Sequence, residues 1–413
     1  MYGMFQRSTF DQPIGSWNVS SVTDMAYMFA NSDFNQDLKD WNVEKVTSMY
    51  GMFRGNPSFD QPIGGWNVMS VTDMTYMFAD SDIRDSGFNQ DLKDWNVEKV
   101  TSMLGMFESS SFNRPIGDWN VSSVTDMGSM FSRSDFNQDL KDWNVDKVTS
   151  MLAMFEYTSF DHPIGGWDVS SVTDMRWMFY NSGFNQDLKD WNVDKVTSMR
   201  AMFASNTDFN QPIGSWDVSR VTSMRSMFYR TNFNQTLKDW NVEKVTSMYG
   251  MFERSSFDQP IGGWNVSHVT NMREMFARSD FNQDLKDWNV EKVTRMSGMF
   301  EYSSFDQPIG AWNVSSVTDM GNMFANSGFN QDLKDWNVEK VTNMRDMFAF
   351  NTDFNKDVTG WATNTIGFFG SEAYADMFYE STAWQAAYNY TGSGGICDKA
   401  SPYGPATCWT PKL

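Results

Sequence analysis

Cysteine and histidine are nearly missing from this 413-residue chain, which has two of each. His162 and His268 stand far apart in sequence, with no nucleophile elbow, phosphate loop or metal-ligand cluster beside them, so the side chains of most hydrolases and metalloenzymes are lacking. The chain is read as non-enzymatic, with no cofactor. Both cysteines, Cys397 and Cys408, fall within the last 17 residues, too few for a disulfide-built scaffold but well placed to close one terminal loop. Read as a disulfide they imply an oxidising, extracytoplasmic setting; free thiols are the alternative. No apolar run approaches the length of a membrane helix, and no secretory signal is present. Basic residues are in deficit as well, 32 Lys and Arg against 52 Asp and Glu, for a formal charge of −20. That balance argues against a nucleic-acid backbone or an anionic membrane surface as the main partner.

What the chain has in abundance is aromatic and thioether volume, with 16% aromatic residues and 32 methionines. Fifteen tryptophans, from Trp17 to Trp361, recur at gaps of 24 residues in ten cases, 25 in three and 29 in one. A fixed period in this range signals a solenoid, in which each unit buries its apolar face only by stacking on the next. Residues 1–361 are read as the repeat array. Residues 362–413 are read as a degenerate last turn, with Phe378 and Trp384 echoing the repeat, followed by a C-terminal cap. The opening Met1-Tyr2-Gly3-Met4-Phe5 matches Met248 to Phe252, so the first turn starts in mid-phrase and the chain is expected to be processed or part of a longer array.

Two versions of the phrase alternate, FDQPIGGWNVSHVTNMREMF (257–276) and FNQDLKDWNVEKVTRMSGMF (281–300), so the full period is a pair of units. Setting Lys286 and Asp287 opposite Gly262 and Gly263 keeps like charges two turns apart. All length variation falls between the Phe of Met-Phe and the next Phe, which marks an external loop. Within each turn, the alternating Phe-Asn-Gln-x-Leu/Ile predicts one short parallel strand. The three-residue spacing of Val-x-x-Val-x-x-Met-x-x-Met-Phe predicts a short helical or 3₁₀ segment.

The pieces W-N-V-x-x-V-T-x-M-x-x-M-F and F-N-Q-x-L/I, running from Met1 to about Trp361, resemble the BspA-like branch of leucine-rich repeats, the short repeat of bacterial surface proteins and mycoplasma lipoproteins. The resemblance implies a right-handed leucine-rich-repeat-like solenoid, displayed at a cell surface or secreted, and used in adhesion or host interaction. The strict alternation of two versions departs from that family's looser pattern.

Each candidate feature has a plain structural alternative. The Trp column is read as core rather than a sugar-stacking platform, and the methionines as packing rather than soft-metal ligands. Asparagines after Phe and after Trp are expected to form ladders, leaving Asn234 and Asn389 as acceptors for glycosylation in preference to Asn18, Asn120, Asn265 and Asn313. Asp139 with Asp142, Asp187 with Asp190, and Asp284 with Asp287 raise calcium, but Lys141, Lys189 and Lys286 among them favour a self-neutralised face. The freely varying positions carry the functional expectation. Arg176, Arg200 and Arg225 form one column and Arg230, Arg254 and Arg278 another, with Trp177 and Tyr229 alongside. Such a ridge fits an anionic partner, a polysaccharide or a protein surface including another copy of the chain. The expected function is an extracellular adhesion or recognition scaffold; the alternative is a structural subunit that adds copies end to end into a filament.

Overall fold

The computed structural model describes residues 1–80, 86–361, 375–391 and 406–412. They fall into two compact units, Met1–Gln211 and Pro212–Leu413.

Each unit is built from 24-residue turns that zip to their neighbours in two directions. In the first unit, Met127, Ser129, Phe131 and Arg133 donate their backbone N–H groups forward, to the carbonyls of Ser150, Leu152, Met154 and Glu156, at 2.7–3.1 Å. The intervening Met130, Ser132 and Ser134 donate back to Met127, Ser129 and Phe131, closing four-residue turns at 3.0–3.2 Å. Every N–H of the segment after the first methionine therefore has an acceptor, as a buried backbone requires. Ser129 and Arg133 reach this geometry with φ of 51° and 58°, and the same two positions are left-handed in turn after turn, among them Trp177, Arg254 and Tyr302. Side chains other than glycine rarely adopt that region, and the inter-turn bonds hold it here. Toward the preceding turn, Thr149 donates both its N–H (2.8 Å) and its Oγ1 (3.1 Å) to the carbonyl of Thr125.

This corrects the expected conformation of both segments. The Met-x-x-Met-Phe stretch is a run of turns linked to its neighbours by isolated parallel bridges such as Asp126↔Ser150, not a helical or 3₁₀ segment. Phe-Asn-Gln forms no strand among the described residues, because its N–H groups go to side chains. The N–H of Phe136 reaches Ser134 Oγ (3.3 Å), and that of Asn137 reaches Asn113 Oδ1 one turn earlier (3.0 Å). Regular secondary structure is confined, among the described residues, to the C-terminal end: helix α1 (Thr382–Ala387), strand β1 (Tyr388–Tyr390), a 3₁₀ turn (Ala406–Cys408) and strand β2 (Trp409–Pro411), which pairs antiparallel with β1.

The core repeats as the period requires. Leu140, Trp143, Val145, Val148, Met151, Met154, Phe155 and Phe160 are all buried, a set no single turn could cover alone. Phe131 stacks on Phe136 of its own loop (4.0 Å) and on Phe155 of the next turn (5.8 Å), while Trp143 and Trp167 lie 6.4 Å apart and nearly parallel. Each indole also anchors its turn to the one before, as when Trp143 Nε1 donates to the carbonyl of Ile116 at 3.1 Å. Trp384 stacks on Phe378 at 4.1 Å and on Phe354 at 5.9 Å, so it takes the loop-Phe place in the degenerate last turn.

The alternation of the two phrases has a steric cause that the charge argument missed. The first glycine of each Pro-Ile-Gly run lies against a carbonyl of the following turn. A Cβ built on Gly15, Gly64, Gly117, Gly165, Gly214, Gly262 or Gly310 would run into the oxygen of Asp37, Asp91, Asp139, Asp187, Thr236, Asp284 or Asp332. In the other version that place holds Lys, whose ammonium pairs with the Asp two residues earlier, as Lys286 does with Asp284 at 3.0 Å.

The loop absorbs its extra residue through a buried amide. Turns with four residues between the two Phe positions use a buried Ser or Thr, such as Ser134, whose Oγ donates to the carbonyl of Phe131 (2.8 Å). Where the loop has five, an asparagine takes over. Asn206 is fully buried, donating to Phe184 O (2.9 Å) and Ser182 Oγ (3.3 Å) and accepting from the N–H groups of Asp208 (3.1 Å) and Phe209 (3.0 Å). Asn56 and Asn351 occupy the same place.

Candidate functional site

With the core and both inter-turn zippers spent on structure, four side-chain positions per turn remain variable: the two after the first Met and the two after Met-Phe. The second of each pair is the left-handed position, so these side chains project from backbone fixed on both sides by hydrogen bonds. Exposed aromatic groups concentrate here. Tyr157, Tyr302 and Phe350 are 41%, 46% and 48% exposed, and Tyr379 packs edge-on against Phe350.

In the first unit the predicted Arg176, Trp177 and Arg200 do come together. Their guanidinium carbons lie 5.8 Å (Arg176) and 4.9 Å (Arg200) from the Trp177 ring centre. Asp174 grips Arg176 through two nitrogens, the closer at 2.6 Å. Arg133 lies over Tyr157 at 4.7 Å and Arg54 over Tyr76 at 4.6 Å; neither pair was anticipated. Cation–π contacts of this kind are worth about 0.5–1 kcal/mol each where water has access.

In the second unit the predicted Arg225, Tyr229, Arg230, Arg254 and Arg278 occupy the corresponding positions of their own turns, but the basic ridge is interleaved with acid. Arg225 stands over Tyr249 (5.1 Å) and Arg278 over Tyr302 (4.2 Å). Arg254 Nε is 3.6 Å from Glu253 Oε1, and the Tyr249 hydroxyl donates to Glu274 Oε2 at 3.0 Å. Burial, reinforced by the neighbouring Glu274, pushes the Glu253 carboxyl up to about 7, against the pull of Arg254 and Arg278. Burial likewise raises Glu301, with Arg278 opposing, and Glu108 and Glu156 in the first unit. The sequence offered Glu253 and Glu274 as partners of the arginines on a solvated rim, but not the burial of Glu253, Glu301, Glu108 and Glu156. Their signal was an Arg followed one period later by Tyr, as in Arg133 and Tyr157 or Arg225 and Tyr249.

A raised carboxyl makes folding pH-dependent. Glu253 holds its proton more tightly folded than unfolded, so its contribution is full below pH 4.5 and is lost as pH rises through about 7. Glu253→Gln is therefore expected to raise the thermal midpoint at pH 8 by an amount worth about 1–2 kcal/mol and to change little at pH 5. A variant that gains nothing at pH 8 would show that Glu253 ionises freely in the fold.

The Lys-flanked aspartates act within their own turn: Asp139 Oδ1 accepts the N–H of Lys141 (2.9 Å) and its other oxygen pairs with the ammonium (3.3 Å). Those Lys141 contacts hold Asp139 below the usual carboxylate range. No group of three or more potential metal-ligating side chains occurs among the described residues. His162 stands in for a ladder glutamine, its Nε2 3.1 Å from Asn137 O. The asparagine ladder is real after Phe but not after Trp. Asn18, Asn120, Asn265 and Asn313 are exposed and accept the N–H two residues on, while Asn234 lies in the ladder, accepting from Asp258 N (3.0 Å). Asn389 is exposed on β1. Cys408 is disulfide-bonded, and Cys397 lies outside the described residues. No helix among the described residues is long and apolar enough to cross a membrane.

No curated protein and no solved structure matches the chain. One family profile does, in five overlapping stretches, residues 1–87, 82–183, 156–256, 216–304 and 277–390, which follow the tandem units described above. Its span of nearly the whole chain makes this repeat protein a member of the family described as Mycoplasma protein of unknown function, DUF285.

Proposed function

We propose that the chain is a non-enzymatic recognition scaffold displayed outside the cell, a solenoid of short, BspA-like leucine-rich-repeat coils whose variable strip contacts a protein or polysaccharide partner. The observation that carries this reading is the division of labour within each turn. Repeated residues serve the core and the zippers, whereas exposed tyrosines and arginines gather at the four positions that neither requires. Aromatic and arginine side chains on a preorganised backbone are what recognition surfaces enrich, because little conformational freedom is lost on binding.

The test is binding to immobilised acidic polysaccharides and candidate surface proteins, comparing the native chain with Arg200→Glu plus Arg225→Glu. A control with the same change in charge, Lys147→Glu plus Lys195→Glu, alters exposed residues outside the strip. The strip variant is expected to lose at least about tenfold in affinity and the control much less. Equal losses in both would reduce the interaction to net charge and remove the strip from it.

A further inference from the structure

Four buried polar atoms among the described residues of the second unit have no hydrogen-bond partner, and three of them lie in one column at the position just after the first methionine: Arg225 Nε, Arg273 Nε and Ser297 Oγ; the fourth is Trp384 Nε1 in helix α1. Tyr249 fills the place between the two arginines, and successive turns are joined there by Ser226 N to Tyr249 O, Gly250 N to Arg273 O and Glu274 N to Ser297 O. Ser297 is only 9% exposed. Buried donors are ordinarily satisfied, so three in one column on a chain with 52 acidic side chains is an anomaly that calls for an acceptor.

The charges facing this column are countable. Arg225, Arg254, Arg273 and Arg278 stand against Glu253, Glu274 and Glu301, with Arg230 one turn before Arg254 and Asp346 acting on Glu301 from farther along. Tyr249 and Tyr302 supply ring faces for Arg225 and Arg278. On a chain of formal charge −20, this patch has no acidic excess.

We infer that the cluster of Arg225, Tyr249, Arg273, Ser297 and the Glu253–Glu274 pair is a binding site for the oxyanions of an acidic polysaccharide, and that it holds them more tightly as the medium turns acid. The inference rests on the recognition reading above and narrows it to one ligand class and one place. Unpaired guanidinium donors beside an aromatic ring suit sulfate or carboxylate groups on a sugar polymer. The acid response follows from the carboxyl pair, since one proton removes a negative charge that would repel the ligand. With Glu253 poised at about 7, that change falls between pH 8 and pH 5.5.

Dextran sulfate is the probe, with uncharged dextran as control and sodium sulfate as competitor, measured on the whole chain. Affinity is expected to be about fivefold higher at pH 5.5 than at pH 8, the effect of one charge at partly screened contact distance. Glu253→Gln should bind at pH 8 as the native chain does at pH 5.5, flattening the profile. Arg273→Ala should weaken binding about tenfold at both pH values, with circular dichroism confirming the fold of both variants. A Glu253→Gln chain that keeps the native pH ratio overturns the site, and so does an Arg273→Ala chain of native affinity. If sodium sulfate displaces the polymer at equal sulfate concentration, the site takes a free anion and the polysaccharide assignment falls. Loss of binding in Arg200→Glu without loss in Arg273→Ala would leave the strip as a recognition surface and refute this site alone. Failure of the native chain to bind would count against both.

Discussion

Gly262→Ala is expected to destabilise the second unit by about 2–3 kcal/mol, while Gly263→Ala, one residue along, should be nearly silent. A Cβ on Gly262 would sit 2.5 Å from the carbonyl oxygen of Asp284, and one on Gly263 would have nothing within 4 Å. The oxygen cannot easily retreat. Asp284 is tied by its side chain to the N–H of Lys286 (2.9 Å), and the adjoining Leu285 carbonyl holds Trp312 Nε1 at 3.0 Å. Neither glycine has a left-handed φ, so the contrast isolates steric contact from backbone freedom. Thermal unfolding followed by tryptophan fluorescence would check it, and equal midpoints for the two variants would mean that the turns slide apart at low cost.

Asn206→Ala should cost about 3 kcal/mol, among the largest effects of any polar substitution in the first unit. Its amide joins Phe184 O and Ser182 Oγ of one turn to the N–H groups of Asp208 and Phe209 of the next. Removing it takes this partner from the carbonyl of Phe184 and the N–H of Phe209, both on buried residues. Asn144→Ala is the matched control: its Oδ1 accepts only the N–H of Asp146 (3.1 Å) at an exposed turn, so a loss of about 0.5 kcal/mol is expected. Urea titration of the two variants separates these values. Similar losses would show that the longer loop is held by its hydrophobic flanks and not by the amide.

The unit length, the core and the loop were legible because they depend on side-chain volume at a fixed spacing. Trp143, Val145, Val148, Met151, Met154 and Phe155 have buried counterparts in every turn from Trp41 to Phe348, and the single added residues fall in the corner where Asn56, Asn206 and Asn351 receive them. The backbone path was not legible. A three-residue apolar spacing fits a 3₁₀ helix and a chain of turns equally well, and the choice is made by hydrogen bonds to residues of the next turn. Nor did composition betray the left-handed positions, which hold Trp177, Arg254 and Tyr302 as readily as glycine. Phe-Asn-Gln looked like a strand because its side chains alternate, yet strand identity depends on where the N–H groups go, and here Asn and Ser side chains capture them. The arginines of the candidate site were visible as columns. So were Glu253 and Glu274 beside them, but not the burial of Glu253, which differs from a solvated surface glutamate only in being covered by its neighbours.

The close approach of every second turn through glycine bears on how such a gene can change length. Deleting one 24-residue unit would bring together two turns of the same kind, either two without the glycine or two without the matching lysine-bearing phrase. Deleting two restores the original junction. Unequal crossing-over should thus leave viable descendants that differ by even numbers of turns, and array length should evolve in double steps.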